Sequence, residues 1–185
     1  MIVRIFPILA AFLLIFSACQ SDKPQAAQST ATAQTAQASE GPAPSEKLIL
    51  LIKDQKVGQG QAFCLDVLAQ QFNQILSMQY TMHWDPKVLQ FSKVDSFKLK
   101  DLSASNFGTN KVAIGNLPIS WYDLDVRGLS VPDQTAIYQV CFEAIGQAGQ
   151  SSTVNFDGNP VTVEISNSTG KVIPFSSRIA NIEIQ

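Results

Sequence analysis

Histidine occurs once in the 185 residues, at His83, and charge of either sign is scarce: 15% of positions are charged, 13 Lys and Arg against 15 Asp and Glu. A chain so near neutrality has no basic stripe to follow a phosphate backbone, so nucleic acid is excluded as a partner. The lone histidine has no nucleophile near it in any recognised arrangement, which leaves general acid–base catalysis without its usual agent. Metal-ligand clusters are missing as well. Asp66, Asp85, Asp95, Asp101, Asp123, Asp125, Asp133 and Asp157 are scattered, and Trp121-Tyr122-Asp123-Leu124-Asp125 lacks the ligand spacing of an EF-hand. Nothing in the sequence suggests the paired carboxylates of a glycosidase. The expectation is a chain that is not an enzyme and needs no cofactor.

Long hydrophobic runs are also lacking. The longest, Ile5 to Phe16, is interrupted by Pro7; as a helix it would span about 18 Å, short of the roughly 30 Å of a bilayer core. It follows Arg4 and ends in Phe16-Ser17-Ala18-Cys19, the pattern of a secretory signal with a lipobox-like end. The reading is a signal peptide over 1–18 and a lipidated Cys19, with cleavage by ordinary signal peptidase as the alternative. A multi-chain lipid anchor holds a protein stably, because each buried CH₂ contributes about 0.8 kcal/mol. The chain is thus expected in the cell envelope as an outer-membrane lipoprotein, with surface exposure open. Loss of residues 1–18 removes Arg4 alone among the charged groups, so no polybasic membrane patch is created.

From Gln20 to Glu46 there is no aromatic residue and no Val, Ile, Leu or Met. Such a segment buries too little apolar surface to offset the entropy of ordering. Residues 19–46 are therefore expected to be the lipidated cysteine and a disordered Ala/Gln/Ser/Thr/Pro linker of roughly 25–30 Å reach.

Lys47–Gln185 is near the commonest domain size. Short β-type runs separated by turn signals fill it, with no helical period sustained over three turns. Strands are expected at Lys47–Lys53, Gln61–Ala69, Ile75–Trp84, Leu89–Phe97, Lys111–Gly115, Leu117–Asp123, Gln134–Ile145, Thr153–Phe156, Val161–Ser166, Lys171–Ile173 and Arg178–Ile184. Within Ile75–Trp84, the residues Leu76, Met78, Tyr80, Met82 and Trp84 share one side, and Ser77, Gln79, Thr81 and His83 the other. Leu117, Ile119 and Trp121 alternate with Pro118, Ser120 and Tyr122 in the same way. One-sided alternation of this kind fits an all-β, two-layer antiparallel sandwich. Val57-Gly58-Gln59-Gly60, Phe156-Asp157-Gly158-Asn159-Pro160 and Asn167-Ser168-Thr169-Gly170 supply the turns.

The order of these elements resembles a cohesin module. The likeness runs through the turn Val57–Gly60, the block Trp84-Asp85-Pro86-Lys87-Val88-Leu89-Gln90-Phe91, and the strand Ile119-Ser120-Trp121-Tyr122-Asp123. It continues through Ala136-Ile137-Tyr138-Gln139-Val140-Cys141-Phe142-Glu143-Ala144 and the closing strand after Gly170, so it covers nearly all of 47–185. What the resemblance implies is a jelly-roll sandwich of about nine strands without a catalytic role, docking a small calcium-binding dockerin module, often in assemblies that degrade polysaccharide. Related sandwiches bind polysaccharide directly. This chain differs from multi-module scaffoldins in having one module, a lipid anchor and its own cysteine pair.

Cysteine is sparse too, at three. With Cys19 lipidated, Cys64 and Cys141 remain, an even number in an exported chain. Each is central in a strand and followed two positions later by an acid. The hypothesis is a cross-strand disulfide; two buried free thiols are the alternative. The candidate partner-binding face is the polar side carrying Ser77, Gln79, Thr81, His83, Ser120 and Tyr122, since in cohesins the corresponding strands contribute to the dockerin surface. Alternation turns Trp84 and Trp121 inward, leaving Tyr122 as the best exposed aromatic, with Phe72 or Phe107 as loop neighbours. Direct capture of polysaccharide, or a purely structural envelope role, are the alternative functions.

Overall fold

Alternation decides the architecture. In the computed structural model, which describes residues 41–185, two sheets close over one apolar layer. The strands in chain order are β1 (Leu48–Leu51), β2 (Gln55–Val57), β3 (Ala62–Gln70), β4 (Ile75–His83), β5 (Leu89–Asp95) and β6 (Asn116–Tyr122). They continue as β7 (Thr135–Ala144), β8 (Ser151–Asp157), β9 (Glu164–Asn167), β10 (Phe175–Arg178) and β11 (Ala180–Ile184). One sheet has the order β10-β1-β3-β7-β5; the other runs β2-β11-β8-β4-β6, with β9 also paired to β4. This is the expected all-β sandwich, divided into eleven short strands.

Both chain ends change sheets. β1 pairs with β10 and β2 with β11, each in parallel, while the other pairings are antiparallel. Asp54 sits at the first crossing and fastens the second. Its Oδ1 accepts the Asn181 N–H at 3.0 Å and its Oδ2 accepts from Arg178 Nη2 at 3.1 Å. These contacts, led by the Asn181 N–H, hold the Asp54 carboxyl below its ordinary value.

The inward residues of the two sheets interdigitate. Leu65, Val67, Tyr138, Val140 and Phe142 come from one side, and Met78, Tyr80, Met82, Ile119 and Trp121 from the other, all buried. Tyr80 and Tyr138 meet across the layer with their hydroxyls 3.0 Å apart, so each buried phenol has a partner. Tyr80 packs edge-on to Phe156 at 5.4 Å, and Trp84 edge-on to Phe142 at 5.1 Å, the geometry that ring quadrupoles favour. A shift in the β4–β9 register between Ile75 and Ser77 makes Ile75 the fully buried residue, with Leu76 only half-buried.

Several sequence expectations are corrected here. Lys111–Gly115 is not a strand: Thr109–Ile114 forms a 3-10 helix ended by Gly115 at φ 77°. A Cβ at Gly115 would lie 2.2 Å from the Trp84 carbonyl oxygen, so glycine is required where the helix turns into β6. Lys171–Ile173 contributes only an isolated bridge, Ser166 to Val172. β2 and most of β10 lie outside the expected strands; they are three and four residues long and are held by the parallel pairings rather than by an apolar pattern. The fixed chain also begins before Lys47. Ser45 is buried, donates its N–H to the Asn73 carbonyl at 2.9 Å and is bonded through its hydroxyl to Gln71. Residues 19–40, which include Cys19 and most of the expected linker, and the signal segment 1–18 lie outside the described residues.

Cys64 and Cys141 form a disulfide. They are directly opposite in the β3–β7 ladder, on the outer face of the sheet, with their Cα atoms 3.9 Å apart. A one-residue register shift lies further along the same ladder, between Val67 and Leu68.

Candidate functional site

β4 is the spine of the second sheet. β6 occupies one of its edges from Ser77, opposite Tyr122, to His83, opposite Asn116. On its other edge β8 and β9 lie end to end: β8 pairs with Thr81–His83 and β9 with Ile75–Gln79. The outer face is therefore built from four strands. β6 is not a bare edge, because the two 3-10 segments Ala104–Asn106 and Thr109–Ile114 flank it. The Gly108 N–H donates to the Pro118 carbonyl and Asn106 Nδ2 to the Ser120 carbonyl, both at 2.9 Å.

The six residues expected on this face divide into three groups. Ser120 and Tyr122 are exposed, Tyr122 to 58%. Ser77 and Gln79 are half-buried and already engaged: the Ser77 and Ser166 hydroxyls are 2.7 Å apart, and Gln79 Nε2 donates to the Thr162 carbonyl at 3.1 Å. Ser77, Gln79, Ser120, Tyr122 and Glu164 line a shallow depression of about 90 Å³. This is where the exposed hydrogen-bonding groups meet the one exposed ring.

The other two depart from expectation. Thr81 is fully buried, and its hydroxyl has no hydrogen-bond partner among the described residues. It stands between Pro118 of β6 and Asp157 of β8. Alternation assigns a residue to a side of the sheet but does not fix its exposure there. His83 is not a freely solvated residue either. Its side chain is 19% exposed, and its ring nitrogens lie 2.9 Å from Asn116 Oδ1 and 2.8 Å from Asp157 Oδ1. It ties β6 to β8 across β4.

Trp84 and Trp121 are in the core, each with its indole N–H donated to a backbone carbonyl, Leu89 and Lys100 respectively. Phe72 and Phe107, expected beside Tyr122 as exposed loop aromatics, are buried as well. Tyr122 is thus the only large aromatic ring exposed among the described residues. No group of three His, Cys, Asp or Glu side chains able to hold a metal occurs among them.

Sequence reasoning missed the loop that continues from Tyr122. Asp123 is fully buried and accepts the N–H groups of Asp125, Arg127 and Gly128 at 3.1, 3.0 and 2.9 Å. Burial alone would raise its carboxyl. The three donors and the Lys100 charge outweigh that and leave it below its ordinary value. The signal for this loop was the acid directly after the strand, the position from which a side chain caps its own turn.

The family model of the cohesin domain matches residues 50–177. The chain belongs to the cohesin family. Solved structures agree on the fold. A cohesin from scaffoldin B of Acetivibrio cellulolyticus, solved with a Cel5 dockerin, superposes with a TM-score of 0.63 at 17% identity, covering 75% of this chain and 99% of that one. A type I cohesin of Clostridium thermocellum, also in complex with a dockerin, gives 0.63 at 12% identity over 75% and 99%. A non-cellulosomal cohesin from the archaeon Archaeoglobus fulgidus gives 0.59 at 16% identity over 75% and 91%. No curated protein matches the chain. Cohesin modules are non-catalytic binding domains, and the face centred on β4 and β6 is the surface of this cohesin module that joins exposed polar groups to an exposed ring.

Proposed function

We propose that this cohesin module is a non-catalytic docking domain on a cell-envelope lipoprotein, and that the outer face of β4 and β6 receives a dockerin-type protein. Membership of the cohesin family carries the reading, and dockerin complexes among the structural relatives support it. On this chain the contact would centre on the depression around Ser77, Gln79, Ser120, Tyr122 and Glu164, with His83 tying the strands together beside it. Lipidation at Cys19 would hold the module at the outer membrane, where a docked partner acting on polysaccharide would be kept at the cell.

Direct binding of polysaccharide is the weaker reading, because sugar-binding platforms use several coplanar rings and Tyr122 is a single one. The test is affinity capture from extract of the source organism, in calcium and in chelator, beside a panel of immobilised polysaccharides. Dockerins need calcium to fold. Retention of a protein carrying a dockerin-type module, released by chelator, is the expected result; retention on a glycan alone would replace the proposal with carbohydrate binding.

A further inference from the structure

The described chain enters the module at one end of the sandwich, and Gln74, in the β3–β4 turn, organises that end. Its Nε2 donates to the Pro42 carbonyl at 2.7 Å, and its own carbonyl accepts the Ser168 N–H at 2.8 Å. The β6–β7 loop closes on the same turn. A Cβ on Gly128, at φ 79°, would come within 2.7 Å of the Gln74 carbonyl oxygen, and Leu129 forms a bridge with Ile75. The tether, the Asp123–Arg127 loop and the Ser168–Lys171 turn therefore share one end.

That end is apolar at its tips. Leu124 is 59% exposed, Val126 68% and Val172 60%. Val126 is also held at φ 55°, a left-handed conformation that is costly for a β-branched side chain. The Asp123 carboxylate, bonded to the N–H groups on either side, keeps it there. The arrangement fixes an apolar side chain in water, at a backbone cost, with no contribution to the core. Charges of both signs surround the tips: Lys100 pairs with Asp125 and Lys171 with Glu46, Asp101 accepts the Leu124 N–H at 3.3 Å, and Arg127 is exposed in the same loop.

We infer that the Leu124, Val126 and Val172 tips dock on the surface of the bilayer that holds the lipid. The inference rests on the reading of Cys19 as lipidated. Residues 20–40 are then all the chain between the anchor and this end, which bounds their separation at roughly 75 Å. Within that distance the effective concentration of bilayer is high enough for a weak contact to be populated. The groups that would insert are the three apolar side chains, so the contact is apolar.

The test uses the full lipidated chain in phosphatidylethanolamine–phosphatidylglycerol vesicles. With Cys19 acylated and Cys64 bonded to Cys141, an introduced cysteine is the only free thiol. Val126→Cys, with Leu124→Cys as a second position should the first not fold, carries a fluorophore, and Ile114→Cys, in the 3-10 helix that ends at the Trp84 carbonyl on the far side of the sandwich, is the control. The expected result is that headgroup-level nitroxide lipids quench most of the emission at 126 or 124 and leave 114 unchanged. Vesicle flotation with a probe at 126 as water-exposed as that at 114 overturns docking and leaves the anchor standing. A wild-type chain that does not float overturns the anchor and the docking together. A probe that stays aqueous on vesicles and becomes shielded when a protein partner is added also overturns it, and assigns the tip to that partner.

Discussion

Thr81 and Asp123 are buried polar side chains with opposite bookkeeping. Thr81 brings a hydroxyl into the sheet interior and finds no partner for it among the described residues, which costs about 1–3 kcal/mol relative to a satisfied group. Thr81→Val keeps the branched shape and removes the orphan. It should raise stability to urea by roughly 1 kcal/mol, and a loss of similar size would show that the hydroxyl is in fact bonded. Asp123 is the reverse case, one carboxylate serving three N–H donors. Asp123→Ala should cost about 1–3 kcal/mol near pH 7. The folded carboxyl titrates below its ordinary value, so its stabilisation is present above the ordinary carboxylate range and is lost as pH falls through the lower folded value. Urea titrations should therefore show the gap between wild type and Asp123→Ala narrowing from about pH 7 to about pH 3, and a gap constant with pH would contradict the assignment.

At the scale of elements, β3 and β7 are joined by the Cys64–Cys141 disulfide, which closes most of the module into one covalent loop with a sequence separation of 77. The loop-entropy model gives up to about 4–5 kcal/mol for such a closure. Replacing both cysteines by serine should lower the urea midpoint accordingly, and reduction of the wild type should reproduce the loss. On the opposite sheet, Gln79 and Tyr122 mark the two sides of the proposed contact depression. Their joint replacement by alanine should weaken partner binding at least tenfold, or about 1.4 kcal/mol, with the melting temperature little changed; full affinity would remove this face. The long strands were legible because one buried face imposes strict alternation, as in Met78-Gln79-Tyr80. Val112 and Ile114 alternate as well, yet they belong to a 3-10 helix, because the glycine beyond it needs a left-handed backbone that a strand would not supply. β2 was hidden by its polarity. Within the site, alternation placed Ser120 and Tyr122 correctly but could not show that Thr81 is buried between Pro118 and Asp157, or that His83 is held between Asn116 and Asp157.

The whole molecule joins a rigid sandwich to an N-terminal segment whose composition suits a tether. Its two sheets have different outward faces. One carries the disulfide and interleaved charges such as Lys93 and Asp95; the other carries the polar depression, with a single ring at its rim. That asymmetry, together with membership of the cohesin family, supports a docking role for the second face. Isothermal titration of the oxidised module, residues 41–185, with a captured dockerin-type module in calcium and in chelator tests this most directly. The account predicts saturable one-to-one binding in calcium that chelator abolishes; a folded module giving no binding heat in calcium would contradict it.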